Sequence, residues 1–215
     1  MVITAAPANE ERRQVLKVAR RRHFRRGEVL FHEGDPGDTL HLIDRGHVAM
    51  RTTTPRGDVA TLNVVGPGGY FGEMALVSEE GVRTSTVVAL DAVETLSLLR
   101  NQFVELRTAH PGVNEILVVA LTGEVRRLSA RLTEAIYVPV ETRIFRRLVE
   151  LAAMFTSGDK TTPIPLTQDD LASLAGTTRP SVNKVLRAAQ DDGLLRISRG
   201  TIDILDSSLL GRRAR

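Results

Sequence analysis

The sequence contains no cysteine. That excludes disulfides, thiolate zinc sites, cysteine-held iron–sulfur clusters and cysteine-based redox sensing. Long apolar runs are also missing. The longest, Ile116 to Leu121, is far short of the roughly 20 residues that span a bilayer. The first residues, MVITAAPANEERRQ, lack the charged-then-apolar pattern of a signal peptide. Together these absences predict a cytoplasmic protein with no membrane partner. The histidines (His23, His32, His41, His47 and His110) show no metal-ligand spacing. No nucleophile–base arrangement and no Walker phosphate loop is found. Neither a catalytic residue, a bound metal nor an enzyme is expected.

What is present describes an ordinary globular chain. Its 215 residues are 42% hydrophobic and 26% charged, enough for two small domains. The net charge is +3, and its distribution is uneven. After Val138 there are 12 basic and 9 acidic residues, against 17 of each before it. The whole positive excess therefore sits in the last third, a mild footprint of a polyanionic partner.

Residues 10–22 read as a short basic helix with a solvated face (Arg12, Arg13, Lys17, Arg20, Arg21, Arg22). From Gly27 to Leu99 short apolar runs alternate with turn signals. Val29-Leu30-Phe31, Leu40 to Ile43, Val48 to Met50, Ala60 to Val65, Thr84 to Ala89 and Ala92 to Leu98 are separated by Gly, Pro and Asp clusters. Six or more strands at such spacing predict a barrel or sandwich. The period then becomes helical. After His110-Pro111-Gly112 one helix runs to about Tyr137, with Leu117, Leu121, Val125, Leu128, Leu132 and Ile136 on a single stripe. Such a narrow seam suits pairing with a second copy of the chain; packing against the barrel is the alternative. Pro139 ends or kinks the helix and marks a hinge.

The last third carries an ordered constellation. A helix follows with Ile144, Leu148, Leu151, Ala152 and Phe155 on one face. Thr167 and Asp170 form a capping box at the start of the next one. Ala175-Gly176 breaks that helix with a left-handed turn. Thr177-Thr178 caps the following helix, Pro180 sits in its first turn, and Val182, Val185 and Leu186 form its inner face. A hairpin around Ser198-Arg199-Gly200 completes a winged helix-turn-helix. Arg179 is best placed for a base edge, with Ser181, Asn183, Lys184 and Arg187 beside it. Thr178 at the helix start and Arg199 in the wing suit phosphates.

The second constellation is Gly72-Glu73-Met74-Ala75, followed by Arg83-Thr84. Gly72 opens a short helix whose backbone N–H groups can face an anion. Arg83 supplies a bidentate countercharge for phosphate and Thr84 a hydroxyl. Glu73 would repel phosphate, so it suits sugar hydroxyls. Acid for ribose and arginine for phosphate describe a cyclic-nucleotide pocket.

With these residues in place the sequence resembles the catabolite activator (cyclic-AMP receptor protein) and FNR family of bacterial regulators. The resemblance runs from Gly27-Glu28-Val29-Leu30-Phe31-His32-Glu33-Gly34-Asp35 and Gly46-His47-Val48 through Phe71 to Leu76, Arg83-Thr84 and the long helix to Thr178 to Leu186. It implies an α+β fold: a jelly-roll β-barrel over residues 1–110, a dimerisation helix and hinge over 111–138, and a winged helix-turn-helix over 139–215. It also implies that Gly72, Glu73, Met74, Ala75, Arg83 and Thr84 hold ribose and cyclic phosphate, and that Ser129 reads the base. The protein expected is a homodimeric regulator of palindromic double-stranded DNA working with RNA polymerase. It needs no cofactor and takes cyclic AMP as its allosteric ligand.

Two departures stand out. Leu128 replaces a polar residue, usually threonine, that the family offers to adenine. One lost hydrogen bond is worth on the order of 1 kcal/mol, roughly fivefold in affinity. Pro180 stands where the activator carries an operator-reading glutamate. A second reading therefore keeps the DNA-binding dimer with another effector or none. A third makes the chain a nucleotide-sensing module for a protein partner.

Overall fold

The computed structural model describes residues 18–110, 112–156 and 161–215. The chain divides into two units: residues 1–52 with 64–128, and residues 53–63 with 129–215.

Eight strands fill the first part of the chain: β1 (Arg20–Phe24), β2 (Val29–Phe31), β3 (Thr39–Arg45), β4 (Val48–Thr53), β5 (Val59–Val65), β6 (Tyr70–Phe71), β7 (Thr86–Ala89) and β8 (Val93–Leu99), all in the first unit except Thr53 and most of β5. One sheet has the order β1-β8-β3-β6 and the other β2-β7-β4-β5. The two sheets make a jelly-roll-like sandwich rather than the closed barrel expected. Alternating side chains fill its middle: Ile43, Val48, Phe71, Val87, Ala89 and Val93 are buried together, with Phe31 and Met50 packed on them. Helix α1 (Met74–Val77) is a single turn between β6 and β7; α2 (Arg100–Ala109) follows β8.

Arg20 to Arg22 form strand, not helix as expected. Their backbone pairs with Ser97, Leu96 and Thr95 of β8, and ladder bonds at a sheet edge outweigh the local preference. The rest of the expected basic helix, residues 10–17, lies outside the described residues.

Helix α3 (Gly112–Tyr137) has 26 residues, so it extends roughly 39 Å at 1.5 Å per residue. Leu117 packs on the core beside Phe103. The rest of the predicted seam is open: Leu121, Val125, Leu128, Leu132 and Ile136 are between 45% and 64% exposed in the single chain.

The main segment of the second unit begins at Ser129, within α3. It continues as α4 (Val140–Phe155), β9 (Thr162–Ile164), α5 (Gln168–Ala175), α6 (Arg179–Asp191), β10 (Leu195–Ser198), β11 (Thr201–Ile204) and α7 (Ser207–Arg213). Ile144, Leu148, Leu171, Val182 and Leu186 are fully buried at its centre. The wing hairpin β10–β11 forms as expected, and β9 joins it as a third strand. Helix α7, capped by Asp206 through Leu209 N–H, is an addition to the expected set.

The break between α3 and α4 falls at Val138-Pro139, as the proline predicts. It is braced by buried Arg143. Its guanidinium donates to the carbonyls of Ala135 at 2.9 Å and Val138 at 3.0 Å, at the end of α3. It also donates to those of Ala175 at 3.0 Å and Gly176 at 3.1 Å, at the end of α5. Glu134 adds ion pairs to Arg146 at 2.8 Å and Arg147 at 2.6 Å.

Candidate functional site

The glycines decide where the first site forms. Gly72 has φ +87°, and a Cβ there would lie 2.6 Å from Arg83 Nη1 and 2.8 Å from the Thr39 carbonyl. A Cβ at Gly37 would lie 2.2 Å from that of Ala75. Only bare backbone at both points lets α1 and the arginine close together.

Arg83 is 4% exposed. Its Nη1 donates to the carbonyls of Thr39 at 2.7 Å and Gly72 at 3.1 Å, and its Nη2 to the Thr39 hydroxyl at 2.7 Å. The guanidinium carbon lies 4.0 Å over the Phe31 ring. Nε is buried with no hydrogen-bond partner among the described residues. Glu73 presents the same feature with the opposite sign: its Oε2 is buried and unpartnered. Burial pushes the Glu73 carboxyl above its ordinary value, Glu124 adds to this, and Arg83 opposes it. Burial likewise pushes the Arg83 guanidinium below its ordinary value.

These two side chains line one small, partly open cavity with Phe31, Met50, Gly72, Met74, Ala75, Thr84 and Ser85. Six expected residues (Gly72, Glu73, Met74, Ala75, Arg83 and Thr84) thus converge. The Thr84 hydroxyl is exposed and lies 3.7 Å from Met74 Sδ. Ser129 is exposed on α3 and is not among the lining residues. Sequence reasoning missed Phe31, Met50 and Ser85, and missed Thr39 as the arginine's holder. Nothing distinguishes a threonine opening a strand until the sheets bring it beside Arg83. Arg100, also missed, ties the site from behind by donating to the carbonyls of Leu76, Gly37 and Ala75.

The second candidate site is α6. Thr167 and Asp170 cap α5 reciprocally, and Gly176 ends it at φ +62°, both as expected. Thr178 occupies the N-cap of α6 but makes no capping bond to the backbone. Its hydroxyl pairs instead with that of Ser181 at 3.1 Å. Val182 and Leu186 are fully buried, which turns the opposite face outward. Thr178, Arg179, Lys184 and Arg187 are exposed; Ser181 and Asn183 are half-buried. Arg187 Nε is 3.3 Å from Asn183 Oδ1, which steers it along the helix. Arg179 lies 3.4 Å from Asp169, both well exposed, a pair weak enough for an anion to displace. Arg199 is exposed at the wing turn. No acidic residue occupies the first turn of α6. Its N-terminal half is therefore a cationic surface with the positive end of the helix dipole at its tip.

Comparison with known proteins gives two family matches. A cyclic nucleotide-binding domain covers residues 21–110, and a Crp-like helix-turn-helix domain covers residues 142–213. The CRP-like cAMP-activated global transcriptional regulator of Mycobacterium tuberculosis is 33% identical, over 89% of this chain and 87% of that protein. The cyclic AMP receptor protein of Thermus thermophilus is 32% identical, over 94% of this chain and 92% of that one. A solved CRP/FNR-family transcriptional regulator from Thermus thermophilus superimposes with a TM-score of 0.75 at 26% identity, covering 91% of this chain and 98% of that chain.

Proposed function

The chain belongs to the cyclic-AMP receptor protein/FNR family of DNA-binding transcription regulators, and from that premise we propose that it is a homodimer switched by a cyclic nucleotide, cyclic AMP in the first place. One observation carries the effector reading. A buried arginine nitrogen and a buried carboxylate oxygen, both without partners, line the same small cavity. A phosphate would complete the Nε–Nη2 edge of Arg83, and a ribose hydroxyl would donate to Glu73. A cyclic nucleotide carries both groups a few ångströms apart. Met74, Ala75 and Thr84 would enclose its phosphate and sugar, and Ser129 would address its base.

The exposed seam of α3 supports pairing with a second copy. Burial of a leucine-sized side chain contributes about 1.5–3 kcal/mol, and five such residues lie open on each chain. A two-fold dimer would present two α6 helices to half-sites about 34 Å apart on a palindromic operator. Arg179 would read a base edge. Ser181, Asn183, Lys184 and Arg187 would contact bases or backbone, and Thr178 and Arg199 would hold phosphates. RNA polymerase is the further partner of such a regulator.

The test is calorimetry of the nucleotide-stripped protein with cyclic AMP and cyclic GMP. Selective micromolar binding of cyclic AMP is expected. Absence of binding to both would overturn the effector assignment and leave the DNA-binding one standing. Leu128 is the observation behind the second reading, a DNA-binding dimer with another effector or none.

A further inference from the structure

We infer that Thr39 and His41 are positioning residues for Arg83, linked in a directed hydrogen-bond relay that aims the arginine's free edge into the cavity. The inference rests on the reading of that cavity as an anion site.

The chemistry of the donors fixes the direction. A guanidinium carries five N–H groups and accepts nothing. Three are spoken for: two on the carbonyls of Thr39 and Gly72, one on the Thr39 hydroxyl. Thr39 Oγ1 thus accepts from Arg83, and its own single proton must point elsewhere. His41 Nε2 lies 3.3 Å away, placed to receive it. That nitrogen must then be unprotonated, so the ring proton sits on Nδ1, which donates to Thr95 Oγ1 at 3.1 Å. The relay runs Arg83 to Thr39 to His41 to Thr95, from the cavity wall across β3 into β8.

The histidine is built to keep this direction. It is 5% exposed and stacked on Phe71, with ring centroids 5.0 Å apart and planes 2° from parallel. Burial, with Arg83 adding to it, holds its pKa down at about 4, so the ring stays neutral and keeps one nitrogen as an acceptor. With Phe31 on its face and Thr39 on both Nη groups, Arg83 has lost the freedom to swing. What remains is the Nε–Nη2 edge, whose Nε is the unpartnered atom. An arginine prepaid in this way loses little entropy on meeting an anion.

The test combines affinity with a spectroscopic signature, using the full chain. Thr39→Val keeps the shape and removes the hydroxyl. Cyclic AMP affinity should fall roughly five- to tenfold, the loss of about one hydrogen bond to a charged group. Thr39→Ser should restore it, which a purely packing role of the threonine methyl would not. In the unliganded protein, nitrogen-15 spectra should show His41 as the Nδ1–H tautomer. They should also show separate, slowly rotating Arg83 Nη signals that merge in Thr39→Val. Unchanged affinity of Thr39→Val, or a protonated Nε2 on His41, would overturn the relay. If wild type binds neither cyclic AMP nor cyclic GMP, the reading of the cavity fails. The tautomer and the arginine rotation then still decide whether the relay itself exists.

Discussion

Arg83 lies with its guanidinium 4.0 Å over the ring of Phe31. A charge stacked on an aromatic face in a sandwich interior is held by sheet packing as much as by its own hydrogen bonds. The group that should meet the ligand is therefore also part of the core.

From this follows the first prediction. Arg83→Ala should abolish cyclic AMP binding in calorimetry, because charge and fork geometry are lost together. Sedimentation velocity should show the same dimer as wild type, since the α3 seam is untouched. Retained affinity would remove Arg83 from the site.

Arg179 opens α6, and among the described residues its ion-pair partner is the exposed Asp169, a weak pair. Arg179→Ala should cost about 1–3 kcal/mol in binding to the selected operator, measured by competition gel shift. The same loss on random DNA would make Arg179 a phosphate contact instead.

Leu132 is 64% exposed on α3. Leu132→Glu places a carboxylate on the proposed seam. The sedimentation coefficient should drop to that of a monomer, and operator affinity should fall with it. A variant that stays dimeric would move the interface elsewhere.

His41 gives the stability a pH dependence. Its folded pKa of about 4 lies below its ordinary 6.5. Between those values the unfolded chain binds more protons, so stability falls as pH drops from about 6.5 to about 4. The full loss is on the order of 3 kcal/mol. Above pH 6.5 this group contributes no slope. Glu73, whose carboxyl is raised, works in the opposite sense, losing stability as pH rises above its ordinary value. Urea unfolding of wild type and His41→Phe across pH 4.5 to 7 separates the two. The difference between them should grow in the variant's favour as pH falls. Parallel curves would contradict the buried neutral histidine.

Much of this molecule was legible in its sequence because the informative features are local. The capping box of Thr167 and Asp170, the left-handed Gly176 and the Pro180 in a first turn each need only a few neighbouring residues. The same holds for the spacing from Gly72 to Arg83. What stayed hidden depends on partners distant in sequence. Arg20 to Arg22 become strand only because β8, more than seventy residues away, offers an edge. Thr39 meets Arg83 across 44 residues, and Arg143 meets Ala175 and Gly176 across more than thirty. A buried arginine on an amphipathic helix reads as a solvated charge until the carbonyls that receive it are in place.

Arg143 has one further consequence, for mechanics. A proline break alone couples two helices loosely. Here the four N–H bonds from one guanidinium and the two ion pairs of Glu134 span the break and reach the end of α5. A joint bonded this way has little backlash. A twist applied to the last turns of α3 would be passed to the end of α5, at the turn that leads into α6, as torque rather than absorbed as slack.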